Sequence, residues 1–179
     1  IPLRLVGSEM CIRDRNSPGD IVFMRTGGYM GAAIRFAQRN LQDAQAKYAR
    51  WNHVGILNQK VGDDWTVIQA QPKGITDHGL LSQMAGADYQ IIPLPQYLNP
   101  EDVLAFAREQ VDKEYGFASA LSAFLDMVLP RQVCLRKADT WICSGLVMGS
   151  LWYAGFHPAA KVDDLYSITP AEIALLLGN

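Results

Sequence analysis

Short β-favouring runs and stretches of helical spacing alternate along this chain, each bounded by turn-forming or capping residues. After the turn cluster Ser17-Pro18-Gly19-Asp20, the run Ile21-Val22-Phe23-Met24 predicts a first, buried strand. Gly27-Gly28 then breaks the chain before 30–50, where Ile34, Phe36, Ala37 and Leu41 recur near helical spacing among polar residues and predict an amphipathic helical insertion. The runs from His53 to Leu57 and from Trp65 to Ala70 flank the polar Gly62-Asp63-Asp64 and predict a hairpin with His53 at the start of its inner strand. A further strand is expected over 89–94, with Pro93 placing it at an edge or marking its end.

The second half of the chain reads as helical. Asn99-Pro100-Glu101-Asp102 offers a capping side chain, a proline for the first helical position and acids for the first turn, so a helix is expected to about Lys113. A more apolar helix over 118–129, stopped by Pro130, and a polar connector over 131–140 should follow. A strongly apolar helix is then expected from Cys143 to Tyr153, ended by Gly155. Thr169-Pro170-Ala171-Glu172 is the signature of a capping box opening a final short helix.

Composition narrows the classes. Of the 179 residues, the first fifteen contain Leu5-Val6-Gly7-Ser8-Glu9-Met10-Cys11-Ile12-Arg13-Asp14-Arg15, which reads like a translated sequencing adapter and is expected to lie outside the fold. The remainder, 16–179, is the size of one domain with one substantial core. Removing three cationic and two anionic residues moves the formal net charge from −2 to −3 with no Lys/Arg run, so nucleic acid is not an expected partner. No apolar stretch approaches the roughly 18 residues of a membrane-spanning helix, and no transmembrane segment is expected. With Cys11 set aside, Cys134 and Cys143 form no CxxC pair, which points to neither a disulfide framework nor a zinc ribbon.

A free thiol therefore becomes the candidate chemistry. Cys143 falls where a helix should begin, and the unsatisfied N–H groups and positive dipole end of a helix N-terminus stabilise a thiolate. The opposing interpretation is a buried structural cysteine. A thiol nucleophile needs an imidazole near it in space. His53, at the rim of an apolar strand, is the candidate, whereas His78 and His157 lie in loop-like Gly/Pro contexts. A third polar group usually orients the ring, and Gln69 and Gln71 share a face of the neighbouring strand by the two-residue period, with Gln69 the better placed.

Three segments, Gly19-Asp20-Ile21-Val22-Phe23, Asn52-His53-Val54-Gly55-Ile56 and Cys143-Ser144-Gly145-Leu146-Val147, resemble the hallmark segments of the NlpC family of papain-like cysteine peptidases. Here the histidine segment precedes the cysteine segment, an order that resembles the circularly permuted branch, the YiiX/YaeF-like amidases. The resemblance implies Cys143 as nucleophile, His53 as general base and then acid, and the Cys143 backbone N–H as an oxyanion donor. It also implies that Tyr115, in Glu114-Tyr115-Gly116, helps to polarise the scissile carbonyl. The matching segment of that branch usually carries glutamate where this chain has Gln69. Asp20 is expected to fix the first strand, and Trp51 and Trp141 to fill the core rather than wall a cleft.

The expected architecture is an α+β, permuted papain-like fold of NlpC type, with a small antiparallel sheet packed against the helix that carries Cys143. The expected activity is hydrolysis of an amide or peptide bond through a thioester acyl-enzyme, with no cofactor and no metal, on a peptide, amide or acyl substrate for which cell-wall peptides come first. Rival readings are a lipid acyltransferase or thioesterase of the same fold, with the helix around Ile34 and Phe36 as a lid or as packing, and a binding domain that has lost the chemistry. Metal binding through Cys134, Cys143 and a histidine has the atoms but not the ligand spacing.

Overall fold

Strand β1 (Ile21–Met24) is buried along its whole length, as an unbroken apolar run requires of a strand covered on both faces. It lies inside a five-stranded sheet of order β4-β3-β2-β1-β5, formed with β2 (His53–Val61), β3 (Asp64–Gln71), β4 (Gly74–Leu80) and β5 (Tyr89–Ile92). Every neighbouring pair is antiparallel. The computed structural model describes residues 16–38, 47–85, 88–116, 140–158 and 168–178. The first fifteen residues, the apolar helix expected over 118–129 and all of its polar connector but Thr140 lie outside these.

The helices among the described residues are α1 (Gly28–Gln38), α2 (Leu81–Ala85), α3 (Pro100–Glu109), α4 (Cys143–Tyr153) and α5 (Pro170–Leu177). The two-residue period of the strands sorts the interior into two layers. Ile21, Phe23, Val54, Ile56, Ile68 and Ala70 face one way, onto Val103, Leu104, Leu146, Val147, Leu151 and Ile173 of the long helices. Val22, Met24, Leu57, Trp65 and Val67 face the other, where Leu81 and Met84 of α2 cover them. The result is the expected α+β arrangement of an antiparallel sheet packed on the Cys143 helix.

Local chemistry sets the boundaries. Asp20 fixes the entry to β1 by accepting from Ser17 N–H at 2.8 Å and Leu94 N–H at 2.9 Å, one with each oxygen. Gly62, with φ +61°, turns the β2–β3 hairpin. Asn99 caps α3 through Glu101 N–H, and the capping box of Thr169 and Glu172 opens α5. Trp51 is a core residue at 1% exposure, whereas Trp141 is half-buried against the core, stacked edge-on to Phe106 and donating to Gln110.

Four expectations need correction. The helix expected over 30–50 begins earlier, at Gly28, and 47–50 is a turn. Its cause is Gln38, fully buried, whose amide donates to the carbonyls of Ala49 and Trp51 and so holds 49–51 against the end of α1. The helix expected to Lys113 stops at Glu109, because the Gln110 N–H turns to Ala107 and Arg108 and Asp112 adopts φ +68°. The Asp112 N–H then bonds Ile75 O on β4. Strand β4 itself was not expected, since Gly74, Asp77, His78 and Gly79 have poor strand propensity; backbone pairing to β3 forms it. His78 therefore stands on an edge strand, exposed, rather than in a loop.

Candidate active site

Register explains why Gln69 rather than Gln71 meets the histidine. The pairing Ile56↔Ile68 sets Gly55 opposite Gln69 and His53 opposite Gln71, so Gln69 reaches His53 on the diagonal. That diagonal is open because Gly55 has no side chain: a Cβ there would stand 3.5 Å from Gln69 Cβ and 2.5 Å from Val67 Cγ1. Across the gap His53 Nε2 and Gln69 Oε1 are 2.6 Å apart, with Gln69 buried. An amide oxygen only accepts, so Nε2 carries the proton and donates. Nδ1 is the nitrogen left for the thiol.

Cys143 is the first residue of α4 and is buried. Its N-cap, Ile142, is extended and has no side chain able to bond the first N–H groups, and the first turn carries no acid. Those N–H groups lack intrahelical acceptors and remain directed at the sulfur end of the helix. The Ser144 and Val54 N–H groups bond the Cys143 sulfur, as does the side chain of His53. The sulfur thus sits at a helix N-terminus and beside the first residues of β2.

Electrostatics follow from that placement. Burial is the largest influence on both groups, pushing the Cys143 thiol up and the His53 imidazole down. The mutual charge and hydrogen bond, with the Val54 and Ser144 N–H groups on the thiolate and Gln69 on the ring, outweigh it. The net effect holds Cys143 below its ordinary value and His53 above its own. This is the direction of a thiolate–imidazolium pair.

Tyr115 joins the group. Its segment runs beside the residues that precede Cys143, through a bridge to Trp141 and a Gly116 N–H bond to Trp141 O at 2.9 Å. Burial first, and then the charge of Cys143, hold its phenol well above the usual range, so it is an O–H donor. Cys143, His53, Gln69 and Tyr115 are thus gathered, whereas His78 is on the edge strand and His157 packs on Trp152 with ring centroids 4.3 Å apart. Cys134 lies outside the described residues. Among the described residues no three His, Cys, Asp or Glu side chains form a metal-binding group.

Three supporting residues surround the group; of these only Asn52 stands in a segment that the sequence singles out, beside His53. Asn52, buried, bonds both backbone groups and the hydroxyl of Thr26, tying the loop after β1 to the residue before His53. Gln38 accepts the Ala171 N–H besides its two donor bonds, linking α1, the approach to His53 and the start of α5. Met84 touches the far end of the Gln69 amide. Buried amides at helix ends and strand starts are a signal of this kind, but only once the elements are known.

Comparison with known proteins places the fold. Residues 15–124 match the family model described as permuted papain-like amidase enzyme, YaeF/YiiX, C92 family; the match includes His53, Gln69 and Tyr115 and ends before Cys143. The crystal structure of metalloprotein YiiX from Escherichia coli O157:H7 is similar, with TM-score 0.56 at 18% identity over 89% of this chain and 79% of that one. No curated protein matches.

Proposed function

The chain belongs to the permuted papain-like amidases, and from that membership we propose that it hydrolyses an amide bond through a thioester on Cys143. The observation that carries this reading is the His53 ring held between the Gln69 oxygen and the Cys143 thiol, with the sulfur at the start of α4. In the same reading 16–179 act as one hydrolase domain.

The thiolate attacks the carbonyl carbon, forming the C–S bond and moving the π electrons onto oxygen. The resulting oxyanion accepts from the Cys143 backbone N–H, which has no acceptor inside the helix, and from the Tyr115 hydroxyl. As the C–N bond breaks, the proton on His53 Nδ1 passes to the leaving amine. Neutral His53 then takes a proton from water, whose oxygen attacks the thioester and releases the acid. The pair returns to its starting state.

The amidase family implies a peptide or amide substrate, and cell-wall peptides are the class we propose first. The similar YiiX structure is described as that of a metalloprotein; in this chain the described residues set no third His, Cys, Asp or Glu beside His53 and Cys143, and the steps above use the chain's own residues.

Alkylation of Cys143 across pH, read by mass spectrometry with and without His53→Ala, tests the pair. Fast labelling of Cys143 well below the roughly 8.5 of a free thiol, lost with His53, is expected. Labelling no faster than that of Cys134 would sink the reading. Peptidoglycan fragments and lipid vesicles offered side by side should yield new amines from the former; release of acyl chains from the latter would transfer the chemistry to lipid.

A further inference from the structure

The segment that carries Tyr115 and the residues that lead into Cys143 come from separate parts of the sequence and meet at Trp141. Its N–H donates to Glu114 O at 3.4 Å and its carbonyl accepts from Gly116 N–H at 2.9 Å. Both bonds pass through one residue, so by themselves they make a pivot and leave the angle between the two segments open. An oxyanion pocket with one donor on each segment needs that angle held, because donors act from about 2.7–3.1 Å of the oxygen they serve.

Gln110 lies off that pivot and ties both sides of it. Its Oε1 accepts from the Trp141 indole N–H at 3.0 Å and from Lys113 Nζ at 2.8 Å. Trp141 stands two residues before Cys143, and Lys113 two residues before Tyr115. The Gln110 Nε2 donates to Phe106 O at 3.1 Å, the carbonyl that its own backbone N–H gives up by turning to Ala107 and Arg108. An indole N–H and an ammonium only donate and a carbonyl only accepts, so the three partners admit one orientation of the amide. Gln110 is 4% exposed, which keeps water from competing for Oε1. Both limbs are stiff. The Trp141 ring is wedged between Phe106, edge-on at 5.6 Å, and Gly149 of the Cys143 helix, where a Cβ would stand 3.2 Å from it. Lys113 O accepts from Ile75 N–H at 3.1 Å on β4.

We propose that Gln110 is a positioning residue for the oxyanion site: by accepting from Trp141 and Lys113 through one buried oxygen, it fixes where the Tyr115 hydroxyl stands relative to the Cys143 backbone N–H. Removing the oxygen frees the Lys113 limb to swing about Trp141 and carries Tyr115 with it. The His53–Gln69 contact lies on β2 and β3, outside this brace, so the thiolate itself is spared. Gln110 thus acts on the carbonyl oxygen and not on the nucleophile.

This rests on Cys143 attacking a carbonyl with Tyr115 as an oxyanion donor, and two reagents separate those steps. Iodoacetamide alkylates the thiolate without forming an oxyanion, whereas p-nitrophenyl acetate acylates it through a tetrahedral oxyanion and releases p-nitrophenolate. The ratio of the two rates is measured in the full chain, with the signal of Cys143→Ala subtracted. Gln110→Leu should leave alkylation within about twofold and slow acylation roughly tenfold, part of the roughly hundredfold that a lost oxyanion donor costs. Lys113→Met keeps the stem and disturbs one limb; it should slow acylation about threefold, the worth of one modest hydrogen bond, and carries the test by itself where Gln110→Leu does not fold. Neither change should add a further loss in a Tyr115→Phe chain, a coupling that loosened packing alone would not produce. Equal slowing of both reactions, an unaltered ratio in folded Lys113→Met, or losses that persist in the Tyr115→Phe chain overturns the role of Gln110 while the thiol chemistry stands. A ratio untouched by Tyr115→Phe overturns the donor together with its brace, and a Cys143 inert to iodoacetamide removes the nucleophile and the proposal with it.

Discussion

Replacing Gly55 by alanine probes the most crowded point between the strands that carry His53 and Gln69. The new Cβ would stand 2.5 Å from Val67 Cγ1, 3.0 Å from Ile68 O and 3.5 Å from Gln69 Cβ. Carbon atoms rest at about 3.5–4.0 Å, so the Val67 methyl has to retreat by roughly 1 Å. Val67 is fully buried and β-branched, which leaves its χ1 little freedom. Ile68 O belongs to the backbone paired with β2. The strain therefore moves β3 as a unit, at a cost of about 1–3 kcal/mol.

The same movement carries Gln69 away from His53, across a contact of 2.6 Å that has no slack. Gly55→Ala should thus lower both the urea midpoint at pH 7 and the alkylation rate of Cys143 at pH 6. A double-mutant cycle with Val67→Ala isolates the cause. Val67→Ala alone should cost roughly 2 kcal/mol through the methyls it removes from the core, but it also clears the space that the new Cβ needs. The pair should be less destabilised than the sum of the single changes, by about 1 kcal/mol. Costs that add, or a Gly55→Ala chain as stable and as reactive as the original, would refute the argument that close approach at Gly55 sets the His53–Gln69 contact.

Two further outcomes follow from named contacts. Gln38→Leu strands the carbonyls of Ala49 and Trp51 and the N–H of Ala171 in the interior; at about 1–3 kcal/mol for each buried group left unbonded, partly relieved by relaxation, a loss of about 3 kcal/mol or more is expected in urea unfolding, and a loss under about 1 kcal/mol would contradict it. Tyr115→Phe should leave alkylation of Cys143 unchanged yet lower kcat on a peptide amide roughly a hundredfold, the scale of one lost oxyanion donor; an unchanged kcat would remove Tyr115 from the mechanism.

What the sequence makes legible here is what repeats or caps. β1, the β2–β3 hairpin and the capping box at Thr169 are written in periodicity and in short local signatures, and the helix beginning at Cys143 follows from an apolar run ended by a glycine. The pairing of Gln69 with His53 is half legible, since the two-residue period gives the face but register and the gap at Gly55 give the choice over Gln71. What stays hidden is long-range. Strand β4 exists because β3 offers a free edge, and α1 gives way to a turned approach to His53 because one buried amide, Gln38, draws Ala49 and Trp51 back. Neither leaves a pattern in its own residues.

The environment of the candidate pair makes each charge conditional on the other. Burial is the foremost influence on both groups and acts against ionisation of either, so the lowered thiol and raised imidazole exist only together. Taking away one partner should therefore reverse the direction of the other rather than relax it to an ordinary value. With His53→Ala, burial dominates and Cys143 should titrate above the usual thiol range, its two N–H bonds notwithstanding. With Cys143→Ala, burial is opposed only by the bond to Gln69, and His53 should fall below its usual 6.5. The sign carries into stability: in the unaltered chain the raised imidazole contributes most below pH 6.5 and its share fades as pH rises through the folded-state value, whereas in Cys143→Ala the lowered imidazole favours folding above 6.5 and loses that share on acidification. Histidine titration by NMR in the two chains measures the reversal. A His53 value that stays raised without Cys143 would mean that some other negative charge supports the ring, and the thiolate would lose its place as counter-ion.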